Sequence, residues 1–183
     1  MLPEATVVRL GHRQQRDKRI TSHLGLTARA LGAQLFVLCG DEDQNVLDTL
    51  DDVTDNFGGN FNSEYQSKPM KWLKRFANDG GQIIHLTMYG QPYEEITPEI
   101  PKDSPIAIVV GGAKVPGEIY KIANFNVAVG HQPHSEVAAL ALFMAQYMGG
   151  VAGSEHFSGA KLEIQPHPSG KVVIDHTEDS DSS

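Results

Sequence analysis

Cysteine is nearly absent from this chain: Cys39 is the only one in 183 residues. A single thiol excludes an intrachain disulfide framework and any zinc site built on cysteines. No apolar run reaches the length of a membrane span. The opening residues, Met1 to Thr6, lack the basic-then-apolar pattern of a signal peptide. Together these absences predict a cytoplasmic protein. Familiar nucleotide and hydrolase signatures are missing too. There is no G-x-G-x-x-G in the right context, and Gly111-Gly112-Ala113-Lys114 lacks the spacing and the following Ser or Thr of a P-loop. Without a G-x-S-x-G elbow, Ser135 reads as a helix cap rather than a nucleophile.

What is present fits one globular domain. The hydrophobic fraction is 40% and the charged fraction 21%, enough for a sizeable core. The net charge of -8 opposes a nucleic-acid partner at first sight. The acid, however, is concentrated at 41–55 and in the tail, whereas Arg9, Arg13, Arg16, Lys18 and Arg19 fall within eleven residues opposed only by Asp17. Such a run fits either a solvated face or a phosphate-binding patch.

Apolar patterning predicts strands at 6–10, 35–39, 60–65, 83–87, 106–110 and 125–129. Helices are predicted at 22–31, 43–57, 69–77, after Pro116, and from about Ser135 to Met148. The alternation argues for an α/β fold with a mainly parallel sheet flanked by helices. A β-hairpin is expected over 160–175 around Pro166–Gly170. The chain thus divides into a core, 1–150, a hairpin extension, 151–176, and an acidic tail, 177–183, predicted to be disordered. In a parallel sheet ligands bind beyond the carboxyl ends of the strands. Three strand ends (86–90, 111–115 and 130–135) occupy that position. His12, His23, His131 and His134 invite a metal reading, but no third ligand completes a site, so no metal is assigned. Arg29, read from pattern alone, is a helical surface residue.

Four segments carry a resemblance. Leu10-Gly-His-Arg-Gln-Gln-Arg-Asp-Lys-Arg-Ile-Thr-Ser-His23, His85-Leu-Thr-Met-Tyr-Gly90, Val109-Val-Gly-Gly-Ala-Lys-Val-Pro116 and Val129-Gly-His-Gln-Pro-His-Ser-Glu-Val-Ala-Ala139 resemble the archaeal tRNA (cytidine(56)-2'-O)-methyltransferases of the SPOUT superfamily. The likeness runs from about residue 6 to 175. It implies a deep trefoil knot near the end of the core, S-adenosyl-L-methionine as cofactor, a homodimer, and tRNA reaching a site formed by both subunits. The implied product is a 2'-O-methylated ribose in the T-loop. By position, Leu86, then Gly111, Gly112, Ala113, Lys114 and Val115, then Val129, Gly130, His131, Gln132, Pro133, His134, Ser135 and Glu136 would line the cofactor site. Arg9, His12, Arg13, Arg16, Lys18 and Arg19 would meet tRNA. Related ribose methyltransferases carry Asn-x5-Arg in their first motif; here that spacing reads His23 to Arg29. The resemblance therefore makes Arg29, Ser135 and His23 the catalytic candidates. A guanidinium is a poor base, so Arg29 suits positioning and charge stabilisation, and a substrate phosphate, His23 or His134 could take the proton. An RNA-binding module without catalysis, or a methyltransferase acting on another nucleotide, uses the same loops.

Overall fold

The computed structural model describes residues 2–112 and 114–177. Six strands form one parallel sheet: β1 (Ala5–His12), β2 (Leu35–Gly40), β3 (Asn62–Tyr65), β4 (Gln82–Pro92), β5 (Ile106–Gly111) and β6 (Phe125–Ala128). Their spatial order is β3-β2-β1-β5-β4-β6. The central strands read as near-continuous apolar runs because both faces are covered. Period-2 alternation sorts their residues. Val7, Phe36, Ile84 and Ile108 pack under α1 (Lys18–Ala30), α2 (Gln44–Phe57) and the last helix. Val8, Val37, Ile83 and Val109 pack on the other face, against α3 (Pro69–Asn78) and the short helix α5 (Gly117–Ile122). Cys39 lies in this second layer, where burial pushes its thiol up to about 12.

The predicted strands and helices are all present. Helix α1 departs most from expectation: it begins at Lys18, four residues before the predicted Ser22. Its first turn is polar, so apolar periodicity alone starts too late. Asp17 precedes it, with a carboxylate that accepts three hydrogen bonds from Arg13. Strand β4 is longer than predicted. Its pairing with β6 breaks after Leu86 and resumes at Gln91, so that Leu86 and Gln91 both neighbour Val127. Gly90 permits this return, since a Cβ there would sit 2.5 Å from backbone atoms of Asn126 and Val127. The Pro-rich stretch holds the short helix α4 (Tyr93–Ile96) followed by a 3-10 turn.

The last helix, α6 (Glu136–Met148), buries Leu140, Phe143, Met144, Tyr147 and Met148. Gly149 closes it in the left-handed conformation. Its outer side is also mostly apolar, and Leu142 is half exposed. Strands β7 (Leu162–Gln165) and β8 (Val172–Asp175) form the expected antiparallel hairpin, separate from the main sheet. In the acidic tail, 178–183 lies outside the described residues. No described helix is long and apolar enough to cross a membrane.

Candidate active site

The carboxyl ends of β4, β5 and β6 surround a cavity of about 910 Å³. Its wall comprises residues 85–89, 110–112, 114–115, 120, 129–130, 132–136 and 139. This is where a parallel sheet places ligands, and the volume suits a cofactor-sized molecule. Of the residues named from sequence, Leu86, Gly111, Gly112, Lys114, Val115, Val129, Gly130, Gln132, Pro133, His134, Ser135 and Glu136 all line it. Ala113 lies outside the described residues. His131 is not in the lining; its Nε2 sits 3.1 Å from the Gly90 carbonyl and ties the loop to β4.

Ser135 caps α6, its Oγ accepting the Val137 N–H at 3.2 Å. The first-turn Glu136 faces both the cavity and β1, where its carboxylate meets Arg9 Nη1 at 3.0 Å. His134 folds over its own loop, with Nε2 against the Val129 carbonyl and Nδ1 3.1 Å from that of Ser135. Pattern reading placed Thr87 here within the strand end 86–90 but missed His85 and Tyr120 in this wall. A histidine inside the apolar run 83–86 was the available signal. Its Nδ1 pairs with Asn126 Oδ1 at 2.9 Å, its ring meets Tyr120 edge-on, and Thr87 Oγ1 lies 3.0 Å from Tyr120 Oη. Burial holds the His85 imidazole below its ordinary pKa.

The basic run divides. Of the six residues that the resemblance sets against tRNA, Arg9 and His12 are buried, which corrects their assignment to an RNA-facing surface. Arg9 is only 1% exposed and engaged by Glu136. His12 is equally buried, its Nδ1 2.8 Å from Thr21 Oγ1 and its Nε2 3.2 Å from Asp43. Both sit on β1, whose flanks are covered by neighbouring strands. Arg13, Arg16, Lys18 and Arg19 are exposed. Arg13 is paired with Asp17, whereas no ion pair engages Arg16, Lys18 or Arg19 among the described residues. The Arg13 hydrogen bonds hold the Asp17 carboxyl below the usual carboxylate range.

Arg29 is not a surface residue and not in this cavity. It lies 7% exposed in a second cavity, about 760 Å³, between α1, the end of α2 and residues 151–164. Its Nε donates to Thr54 Oγ1 at 3.2 Å, Nη2 donates to the Gly58 carbonyl, and the guanidinium stacks 5.1 Å over Phe157. Desolvation draws its pKa below the ordinary value. His23 is exposed on α1. Six residues of helix separate it from Arg29, about 9 Å along the axis and a third of a turn out of line, so the two do not converge. Within one chain the structure brings Ser135 to the first cavity and leaves Arg29 and His23 outside it.

The fold is that of the SPOUT methyltransferases. The TrmH/SpoU tRNA modifying enzyme of A. aeolicus matches with a TM-score of 0.59 at 14% identity, over 80% of this chain and 75% of that one. An AdoMet-bound rRNA methyltransferase from Sinorhizobium meliloti matches with a TM-score of 0.61 at 16% identity, over 80% and 56%. Within that class, residues 57–174 match the family described as tRNA ribose 2'-O-methyltransferase, aTrm56. The tRNA (cytidine(56)-2'-O)-methyltransferase of Methanothrix thermoacetophila is 48% identical over 170 residues, 93% of this chain and 97% of that protein. The chain belongs to this tRNA ribose 2'-O-methyltransferase family.

Proposed function

We propose that this protein methylates the ribose 2'-hydroxyl of cytidine 56 in the T-loop of tRNA, with S-adenosyl-L-methionine as methyl donor. The observation that carries the reading is the convergence of three strand ends on one cavity within a chain of this family. The cavity fits such a cofactor. It has apolar walls at Leu86, Val110, Val115 and Ala139, and polar groups on Thr87, Ser135 and Glu136. Gly111 leaves room that Val115 already uses, so any side chain there would collide with it.

The bound cofactor supplies an electrophilic methyl group. The protein's part is alignment, with up to ~7–11 kcal/mol available from orientation in the best cases, and stabilisation of charge developing on the attacking oxygen. Ser135 and the start of α6 fix the floor of the site. Arg29 suits the charge-stabilising role, and its position in the second cavity makes that role one for a homodimer, where a second chain completes the first cavity. The mostly apolar outer side of α6, with Leu142 half exposed, supports such an assembly. The exposed Arg13, Arg16, Lys18 and Arg19 are proposed to hold tRNA phosphates. Residues 1–150 would form the catalytic unit, with a knotted C-terminal part, and 151–176 an extension. The working compartment would be the cytoplasm.

The test is transfer of labelled methyl from S-adenosyl-L-methionine to unmodified tRNA, with mapping of the product. Label at the 2'-oxygen of cytidine 56 is expected. Label elsewhere would overturn the position, and tRNA binding without label would overturn catalysis. Sedimentation of the free protein tests the dimer.

A further inference from the structure

His85 stands in the wall of the first cavity, at the point where β4 and β6 run side by side. Its chemistry is set by a chain of hydrogen bonds. Asn126 Nδ2 donates to the Tyr120 carbonyl at 3.0 Å. That carbonyl can only accept, so the amide cannot be turned round. Asn126 Oδ1 therefore faces His85 Nδ1, 2.9 Å away, and the imidazole must supply the proton between them. Burial disfavours a second proton on the ring. The result is one neutral tautomer, protonated at Nδ1, with a lone pair on Nε2. No described residue hydrogen-bonds Nε2, and the atom is not among those sealed in the core. The residue itself lines the cavity.

We propose that His85 is a cofactor-binding residue whose Nε2 accepts a hydrogen bond from an N–H or O–H donor of the methyl donor. The inference rests on the proposed methyltransferase reading. Asn126 is the positioning residue that selects the tautomer. Tyr120, edge-on at 4.7 Å between ring centroids, and the Tyr120–Thr87 hydroxyl pair hold the ring in place. An acceptor fixed in this way favours a donor-bearing ligand and penalises one that would leave Nε2 buried without a partner.

The tautomer is measurable without any variant. In free protein labelled with 15N at histidine, the two ring nitrogens of His85 should show a proton on Nδ1 and a lone pair on Nε2. Saturation with S-adenosyl-L-homocysteine should shift Nε2 alone, in the direction of an accepted hydrogen bond. A proton on Nε2 in the free protein, or an Nε2 signal unmoved at saturation, overturns the proposal. Calorimetric titration with the same ligand provides a second arm. His85→Leu, which removes the acceptor, should weaken binding about 5- to 10-fold. His85→Gln, which can return an amide oxygen near Nε2, should stay within about threefold of the parent. Equal affinity of His85→Leu and the parent overturns the proposal. S-inosyl-L-homocysteine separates the adenine amine from the other donors. If the His85→Leu penalty disappears with it, the partner is the adenine amine; if the penalty persists, the partner is a ribose hydroxyl or the α-ammonium. Failure of the parent protein to bind S-adenosyl-L-homocysteine would instead remove the methyltransferase reading.

Discussion

The two cavities are built in opposite ways. The first is assembled from consecutive strand ends on one edge of one sheet, and its loops are short. The second joins α1, the end of α2 and the segment 151–164, brought together from across the chain. Backbone hydrogen bonds join that last pair, from Gly59 to Ser158 and from Lys161 to Asn56. Gly58 allows this close approach: a side chain there would collide with the backbone of Phe157, Ser158 and Ala160. In the first cavity, polar groups such as Gln132 and Ser135 line open space. In the second, the principal charge, Arg29, is tied to its own chain by donation to Thr54 and Gly58 and by stacking on Phe157. A site of open polar groups receives a ligand, whereas a cation tied to its own chain on one side holds structure there and keeps its other N–H groups for charge.

The sharpest way to break this contrast is Arg29→Ala. If Arg29 stabilises charge in the reaction, single-turnover methyl transfer should fall about 10²–10³-fold while affinity for S-adenosyl-L-homocysteine stays within about threefold. If Arg29 only ties segment 151–164 to α2, the melting temperature will fall and the rate per folded molecule will not. Neutralising Arg16, Lys18 and Arg19 together should reduce the salt dependence of tRNA binding, by about 0.7–0.9 in log–log slope for each phosphate that the protein no longer neutralises. An unchanged slope would place the tRNA elsewhere. Glu136→Gln sharpens the description of the first cavity: it leaves Arg9 buried without its carboxylate, at a cost of about 2 kcal/mol, readable as a lower urea midpoint. The smallest effect concerns Asp17. Its folded pKa lies below the ordinary value of 3.8, so its contribution to stability is complete above that value and is lost as the pH falls through the folded pKa. Asp17→Asn should therefore flatten the acid limb of the stability–pH profile, with little further change between about pH 6 and 8.

The first cavity was legible because its determinants are local. In the stretch from Val127 to Leu140 a β-branched run, a Gly-Pro loop and an apolar helix follow one another, and each element is dictated by its own residues. The strand ends at 86 and 111 follow the same logic. The second cavity was not legible, because nothing near Arg29 in sequence announces Phe157 or Gly58. Arg9 illustrates the intermediate case. The strand at 6–10 was readable, and its alternation puts Arg9 on the face of Val7. Its partner Glu136 lies 127 residues away, so a buried ion pair read as one more cation in a basic run. His85 was hidden differently. A single histidine in an apolar strand carries its meaning only through Asn126, on the neighbouring strand β6. The resemblance supplied the ligand and the reaction, and the folded structure supplied the division of the basic run.

The strand order also governs what happens while the chain is being synthesised. Strands β1, β2 and β3 lie in a row with β2 in the middle, and can pair once residue 65 has been made. Strand β4 then appears with no partner available, because both of its neighbours, β5 and β6, come later in the chain. Its apolar core, from Ile83 to Leu86, must wait through roughly the next twenty to forty residues of translation, estimated at about 5–20 residues per second. For seconds the nascent chain carries an uncovered strand edge, which is a template for wrong pairing. The edge of β1 that receives β5 is open for longer still, so both strands that flank β5, one of them the anchor of the cofactor cavity, wait on the same late element.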